Sequence, residues 1–379
     1  MNKKICAITT VEGTMSSFVI PAMRVLKEHG CDVTLVCNMS DKFREQYSQE
    51  FRCISIPMKR GMSTFDILKM PIVFKKLFKQ EKFDYVQYAT PNASLYASMG
   101  AKWAGVPKRV YCQWGIRYVG NEGIMRKVLK MLEKFTCSNS THIRPASWMN
   151  LDFAVEESLY RRDKASVIGD GGTIGIDLKQ FDVTKKYELK KTVLEQYPQL
   201  KNKIVFCFVG RLNRDKGIFE LLEAFLRLDK ERNDIALLLV GDMEGSLPAH
   251  LANTRDNENI VNTGWTNEVP KYISASDVLV HPSYREGFSM VIQQAMAIEL
   301  PVVTTEIPGP SEVIEKDVTG ILVQARDVDT LYDAMKWMAE HPAKRIEMGK
   351  AGRKRCEDHF TRERMLQLTL EDRERILNS

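Results

Sequence analysis

Three residues of this chain have the type and spacing to handle a sugar carried on a diphosphate: the carboxylate of Glu286, in a glycine-bearing turn, and the cations Arg211 and Lys216, in a basic turn about seventy positions upstream. Glu286-Gly287-Phe288-Ser289 falls between an apolar run at 277–280, read as a buried parallel strand ending at His281-Pro282, and a helix expected over 291–300 that leads into a strand at 301–305. A helix start leaves backbone N–H groups free at a positive dipole end, which suits a diphosphate, and glycine lets the anion approach the main chain. The Glu286 carboxylate is then available to sugar hydroxyls. Its alternative reading is a helix cap. The basic turn Gly210-Arg211-Leu212-Asn213-Arg214-Asp215-Lys216-Gly217 likewise follows an apolar strand at 204–209 and precedes an amphipathic helix over 218–228. Negative charge developing on a departing diphosphate needs fixed cations, and the arginine fork matches phosphate oxygens. Taken singly, any of these cations also reads as part of a solvated turn, and Arg214 is expected to face solvent.

Glu286 and Gln294, with seven residues between them, resemble the paired-glutamate signature of the retaining glycosyltransferases of family 4, and 210–217 resembles the GR-L-x-x-x-KG turn of that family. The resemblance implies an α/β, GT-B architecture of two Rossmann-like domains facing across a cleft. It implies Glu286, Arg211 and Lys216 as the catalytic set, with Gly210, Gly287, Phe288, Ser289, Met290 and Gln294 on the donor. One position departs from the pattern: Gln294 stands where the family has a second glutamate on the ribose, and it offers one acceptor oxygen and one donor amide. The family's glycine-bearing loop after the first strand falls at Glu12-Gly13-Thr14-Met15-Ser16, so Gly13 and Thr14 are expected beside the diphosphate. No G-x-G-x-x-G follows that strand, which argues against a dinucleotide dehydrogenase. The segment 111–120 resembles the family's His-Gly-x-Arg-Tyr, with Trp114 replacing the histidine. An indole neither carries a proton nor accepts a hydrogen bond there, so Trp114 is expected to shape the acceptor pocket or stack on a sugar. Arg117 is the candidate for an anionic acceptor, or else for a surface ion pair.

The elements that must position these residues are legible as apolar runs. In the first half they fall at 4–10, 32–37, 53–56, 85–89 and 109–112, with a helix expected over 17–28. In the second half the runs at 235–240 and 259–263 end in Gly241-Asp242 and Gly264-Trp265. Ligands of open parallel sheets sit beyond the carboxyl ends of the strands, which makes Gly264, Trp265 and Thr266 candidates to face a nucleobase. Trp265 reads equally well as packing. The length of 379 residues suits two domains. Their expected limits are 1–176 on the acceptor side and 177–359 on the nucleotide-sugar side. A charged helix over 360–379 would pack back on the first, as in GT-B proteins.

Eight cysteines without a C-x-x-C pair and no amino-terminal apolar leader point to a reducing cytoplasm, and no run approaches the eighteen apolar residues of a membrane span. Neither metal nor cofactor is expected: the six histidines lack ligand spacing, and Asp327-Val328-Asp329 matches the D-x-D pattern but, lying between a strand expected at 320–323 and a helix, reads as a helix cap. Charge is uneven. Residues 1–176 carry 26 Lys and Arg against 16 Asp and Glu, a net of +10, which leaves −4 for the remainder of a chain whose total is +6. Two basic amphipathic helices are expected there, at 63–83 and 124–135. They suit an anionic membrane surface as well as packing on the sheet. The cations fall in no nucleic-acid motif. The expectation is a cytoplasmic hexosyltransferase, peripheral on the inner face of the membrane, without nucleic-acid partners. On family grounds it would take a UDP-sugar and act on a growing glycan linked to polyprenyl diphosphate, in surface polysaccharide assembly. A sugar-nucleotide epimerase on the same fold, or a silent binding partner of a transferase, are the rival readings.

Overall fold

The apolar runs form two parallel sheets in the computed structural model, which describes residues 3–59, 61 and 64–379. Strands β1 (Lys4–Val11), β2 (Asp32–Asn38), β3 (Arg52–Ser55), β4 (Tyr85–Tyr88), β5 (Lys108–Gln113) and β6 (His142–Pro145) make the first, in the order β3-β2-β1-β4-β5-β6. Strands β7 (Ile204–Val209), β8 (Ile235–Val240), β9 (Ile260–Asn262), β10 (Val278–His281), β11 (Val302–Thr305) and β12 (Gly320–Val323) make the second, in the order β12-β11-β10-β7-β8-β9. Each order is the doubly wound one, with its reversal at the first strand of the set. The chain divides into two units, Met1–Ile174 with Glu363–Ser379, and Gly175–Arg362.

Strand alternation builds a separate core on each face of the first sheet. Cys6 and Ile8 point to a cluster with Met70, Phe74 and Phe78 of the helix Thr64–Glu81, Ala97 of the helix Pro91–Ala104 and Leu129 of the helix Gly123–Asn139. Ile5 and Ala7 point the other way, to Ile20, Met23 and Leu26 of the helix Ile20–Glu28 and Leu370, Ile376 and Leu377 of the helix Arg362–Asn378. In the second unit β7, β8 and β10 share a core with the helices Ile218–Asp229 and Val328–Glu340. The helix expected at 63–83 is Thr64–Glu81, and residue 63 lies outside the described residues.

Two expectations need correction. The segment after β1 is not a turn followed by a helix at 17: it is helical from Glu12, as Glu12–Thr14, then a π-helical stretch Met15–Val19, then Ile20–Glu28. Val11 is the extended residue that ends the strand, and the Glu12 carboxylate accepts the Ser40 amide at 2.7 Å, so the helix begins with no intervening loop. The second is β6, an edge strand with no expected counterpart. His142-Ile143-Arg144-Pro145 lacks an apolar run, and its arginine is buried only because Asp372 of the helix Arg362–Asn378 meets it at 2.8 Å.

Candidate functional site

Backbone geometry brings the two turns of the second unit together. Gly217 has φ +70°, and a Cβ on it would lie 2.0 Å from the Pro282 carbonyl oxygen, so the basic turn packs directly on the chain leaving β10. Only glycine meets both demands. The Tyr284 amide donates to the Asp215 carbonyl (2.9 Å), and Arg285 Nη2 pairs with Asp215 Oδ2 (2.8 Å). Asn213 caps the short turn Arg214–Lys216 through the Lys216 amide (3.2 Å). Lys216 Nζ therefore arrives 2.5 Å from Glu286 Oε1, which His281 Nε2 also meets at 2.9 Å; Ser289 Oγ lies 3.3 Å from the same nitrogen.

Burial pushes the Glu286 carboxyl up, but the Lys216 ammonium and the His281 hydrogen bond outweigh it and hold the group well below the usual carboxylate range. The result is an ionised carboxylate with a cation beside it at a strand-to-helix junction. Glu286 is not a cap: the helix Met290–Ala297 begins after Ser289, which makes no side-chain cap bond.

The other expected residues separate into groups. Gly210, Gly241 and Gly264 have φ +146°, +146° and +70°, and a Cβ on Gly241 would lie 1.9 Å from the Gly210 carbonyl oxygen, so the carboxyl ends of β7, β8 and β9 close into one glycine rim. Trp265 stands on it 73% exposed, its amide held by Asp242 Oδ1 at 2.9 Å, so its ring is no part of the second unit's core. Thr266 Oγ1 accepts the Glu268 amide at 3.0 Å. Arg211 is exposed and paired with Glu244 (2.8 Å), while Arg214 is exposed, as expected. Gln294 is half-buried and its side chain has no hydrogen-bond partner among the described residues, whereas its neighbour Gln293 is buried and turned back on Ser289 and Met290. The ring of Phe288 is buried edge-on against Phe360 (5.5 Å), which leaves its backbone to meet a ligand. Asp327 caps its helix through the amides of Asp329 and Thr330 (2.9 and 3.0 Å). No cluster of three or more metal-ligating side chains occurs among the described residues.

In the first unit Gly13 and Thr14 lie in the first helical turn, not in a loop. Gly13 is exposed, has no positive φ, and a Cβ on it would meet nothing within 4 Å, so the fold itself does not require glycine there. Trp114 and Arg117 were both expected on the acceptor, but the sheet parts them. Trp114 packs with Phe18 (5.8 Å between ring centroids) on the face carrying the helix Ile20–Glu28. Arg117 lines a cavity with Asn92, Tyr96, Leu129 and Glu133 among the helices of the opposite face. His281 is the residue that sequence reasoning passed over. A histidine closing an apolar strand five positions before Glu286 was the available signal, and the structure leaves it only 2% exposed.

Two family models match, group 1 glycosyl transferases over residues 190–355 and glycosyl transferase 4-like over residues 4–145. The chain belongs to the GT-B glycosyltransferases of family 4. This glycosyltransferase is 29% identical over 369 residues to the capsular polysaccharide biosynthesis glycosyltransferase CapM of Staphylococcus aureus, covering 95% of this chain and 94% of that one. It is 28% identical over 316 residues to the UDP-Gal:alpha-D-GlcNAc-diphosphoundecaprenol alpha-1,3-galactosyltransferase of Escherichia coli, covering 80% and 79%. Among solved structures, Anabaena HepE in complex with UDP and glucose superposes with a TM-score of 0.78 at 17% identity, covering 98% of this glycosyltransferase and all of that chain, a likeness of fold.

Proposed function

We propose that this glycosyltransferase moves a hexose from a UDP-sugar, with retention of configuration, to a growing glycan on a polyprenyl-diphosphate carrier during surface polysaccharide assembly. The observation that carries the reading is the Lys216–Glu286–His281 cluster at the strand-to-helix junction. There Glu286, held ionised, orients the sugar through its hydroxyls, and Lys216 and Arg211 stabilise the departing diphosphate. Gly210 and Gly287 let the diphosphate reach the main chain, and the backbone of Phe288, Ser289 and Met290 supplies donors at the helix start. Gln294 takes the ribose, and Gly264, Trp265 and Thr266 take the base. Gly13 and Thr14 are further donor residues, and Trp114 and Arg117, on the two faces of the first sheet, are assigned to the acceptor. Retention fits front-face attack assisted by the leaving phosphate, so the protein supplies orientation and charge and needs no dedicated base. The names of the Staphylococcus and Escherichia relatives support the pathway and the lipid-diphosphate acceptor.

The test is incubation of the purified protein with UDP-hexoses and a short lipid-diphosphate-sugar acceptor. Free UDP should appear together with a product whose anomeric configuration, read by NMR, matches the donor. Inversion would remove the retaining step, and interconversion of UDP-sugars without release of UDP would mark an epimerase.

The same reading places the protein on an anionic membrane surface at the inner face of the cytoplasmic membrane. Among the described residues no helix is long and apolar enough to cross a membrane. On the helix Thr64–Glu81, however, Phe65, Leu68 and Ile72 are 67%, 74% and 51% exposed beside Lys69, Lys75, Lys76 and Lys79, and Ile124 and Met131 stand out from the helix Gly123–Asn139. Exposed apolar side chains among lysines suit a headgroup layer. Binding to vesicles containing anionic lipid should therefore weaken as salt rises, since screening sets in over about 10 Å at 0.1 M. Glutamine at those four lysines should reduce recovery in vesicle flotation and leave transfer to a soluble acceptor intact. Equal recovery of variant and wild type would exclude this helix as the anchor.

A further inference from the structure

We propose that the first unit carries a further ligand subsite, adjoining the Trp114 assigned above to the acceptor, for a phosphate or carboxylate oxyanion, built from Arg144, Arg373, Thr173 and Thr369. Arg144 belongs to β6 and Arg373 to the helix Arg362–Asn378, and their side chains are 8% and 5% exposed. Both bond the same oxygen, Oδ2 of Asp372, Arg144 through Nε at 2.8 Å and Arg373 through Nη1. The remaining bonds of Arg373 go to neutral groups, Gln87 Oε1 (3.3 Å) and Cys112 Sγ (3.7 Å), and Arg144 Nη1 donates to the Ile143 carbonyl (2.9 Å). Burial raises the Cys112 thiol and the Tyr85 phenol, so neither contributes negative charge. Two buried guanidinium groups thus share one carboxylate, and a residual positive charge in such a place is costly unless an anion meets it.

An independent observation points the same way. The hydroxyls of Thr173 and Thr369 are buried and have no hydrogen-bond partner among the described residues, Thr369 being 4% exposed, and both line the cavity that Arg144, Arg373 and Gln87 also line. Unpaired hydroxyls beside guanidinium forks are the donor set of an oxyanion site. The cavity is bounded by Phe18, Trp114 and Pro145, at the carboxyl ends of β5 and β6 and against the π-helical stretch Met15–Val19. Both a strand rim and a π-bulge are settings in which ligands recur. The aromatic rim fits an oxyanion borne on an organic body, and a free phosphate ion offers the same chemistry.

The experiment titrates inorganic phosphate and phenyl phosphate into the full chain by calorimetry and thermal shift. An Arg211→Ala/Lys216→Ala background silences the proposed donor site, so failure of that reading leaves this one testable. Saturable binding with a rise in melting temperature is expected. Thr173→Val/Thr369→Val should weaken it at least tenfold while melting at the same or a higher temperature in phosphate-free buffer, because the variant loses two unpaired buried hydroxyls. Tighter binding of phenyl phosphate assigns the site to an anionic group on a larger molecule, and equal or weaker binding assigns it to the free ion. Absence of saturable binding by both probes overturns the proposal, as does unchanged affinity in the valine variant.

Discussion

Lys216→Ala is expected to lower kcat/KM at least tenfold and to shift the acid limb of both activity and stability to higher pH. Tenfold corresponds to about 1.4 kcal/mol of lost transition-state stabilisation. The side chains of Lys216 and Glu286 are 21% and 15% exposed, so removal of the ammonium leaves a largely buried carboxylate, at a stability cost of about 3 kcal/mol. In the wild type the carboxyl is held low. Its ionised form therefore contributes stability above the ordinary carboxylate value of about 4.3, and that contribution fades only as the pH falls through the depressed one. Without Lys216 the burial effect loses its largest opponent, the carboxyl value rises, and the loss begins at a higher pH on acidification. Melting curves and kcat/KM measured across pH 3–8 check both limbs, and superimposable profiles would show that the pair is not coupled. Arg211→Ala should cost turnover similarly but leave the melting temperature nearly unchanged, since its pair with Glu244 is exposed.

Gly217→Ala is expected to destabilise the second unit by about 2–4 kcal/mol and to depress transfer with it. A left-handed φ costs an L-residue about 1–2 kcal/mol. The added Cβ must also push back the Pro282 carbonyl, which is backbone and cannot rotate aside. Separating the turn from the end of β10 moves Lys216 away from Glu286, so the pH profile of this variant should resemble that of Lys216→Ala. Gly13→Ala is the counterpart: an ordinary φ and open space around the Cβ leave the melting temperature unchanged, so any lost donor affinity there belongs to the ligand. Chemical denaturation and a donor titration of both variants separate the two effects, and a Gly217→Ala protein as stable as wild type would show that the close approach is not required.

Much of this molecule follows from the chain's local patterns. Apolar runs four to eight residues long named eleven of the twelve strands, because a strand buried on both faces must be apolar throughout. The GR-L-x-x-x-KG and Glu286 turns, each after such a run, identified the family and the residues that meet at the candidate site. The motif gives the position of Phe288 in the donor turn but not the direction of its ring; only packing against Phe360 decides that.

What the sequence determined by itself was therefore the α/β class, the family and the order of the motifs, all of which depend on residue type and spacing along the chain. Tertiary structure alone decided the remainder. β6 pairs with β5 although its sequence lacks an apolar run, and its buried Arg144 is satisfied by Asp372, 228 residues away. Glu286 is an ionised site residue instead of a cap because a glycine with no Cβ lets Lys216 arrive from 70 residues upstream. Trp114 and Arg117, three positions apart, serve opposite faces of one sheet. In each case the deciding term is a contact whose partner is distant in sequence, and burial, charge pairing and the space left by a missing side chain exist only once the fold has brought the partners together.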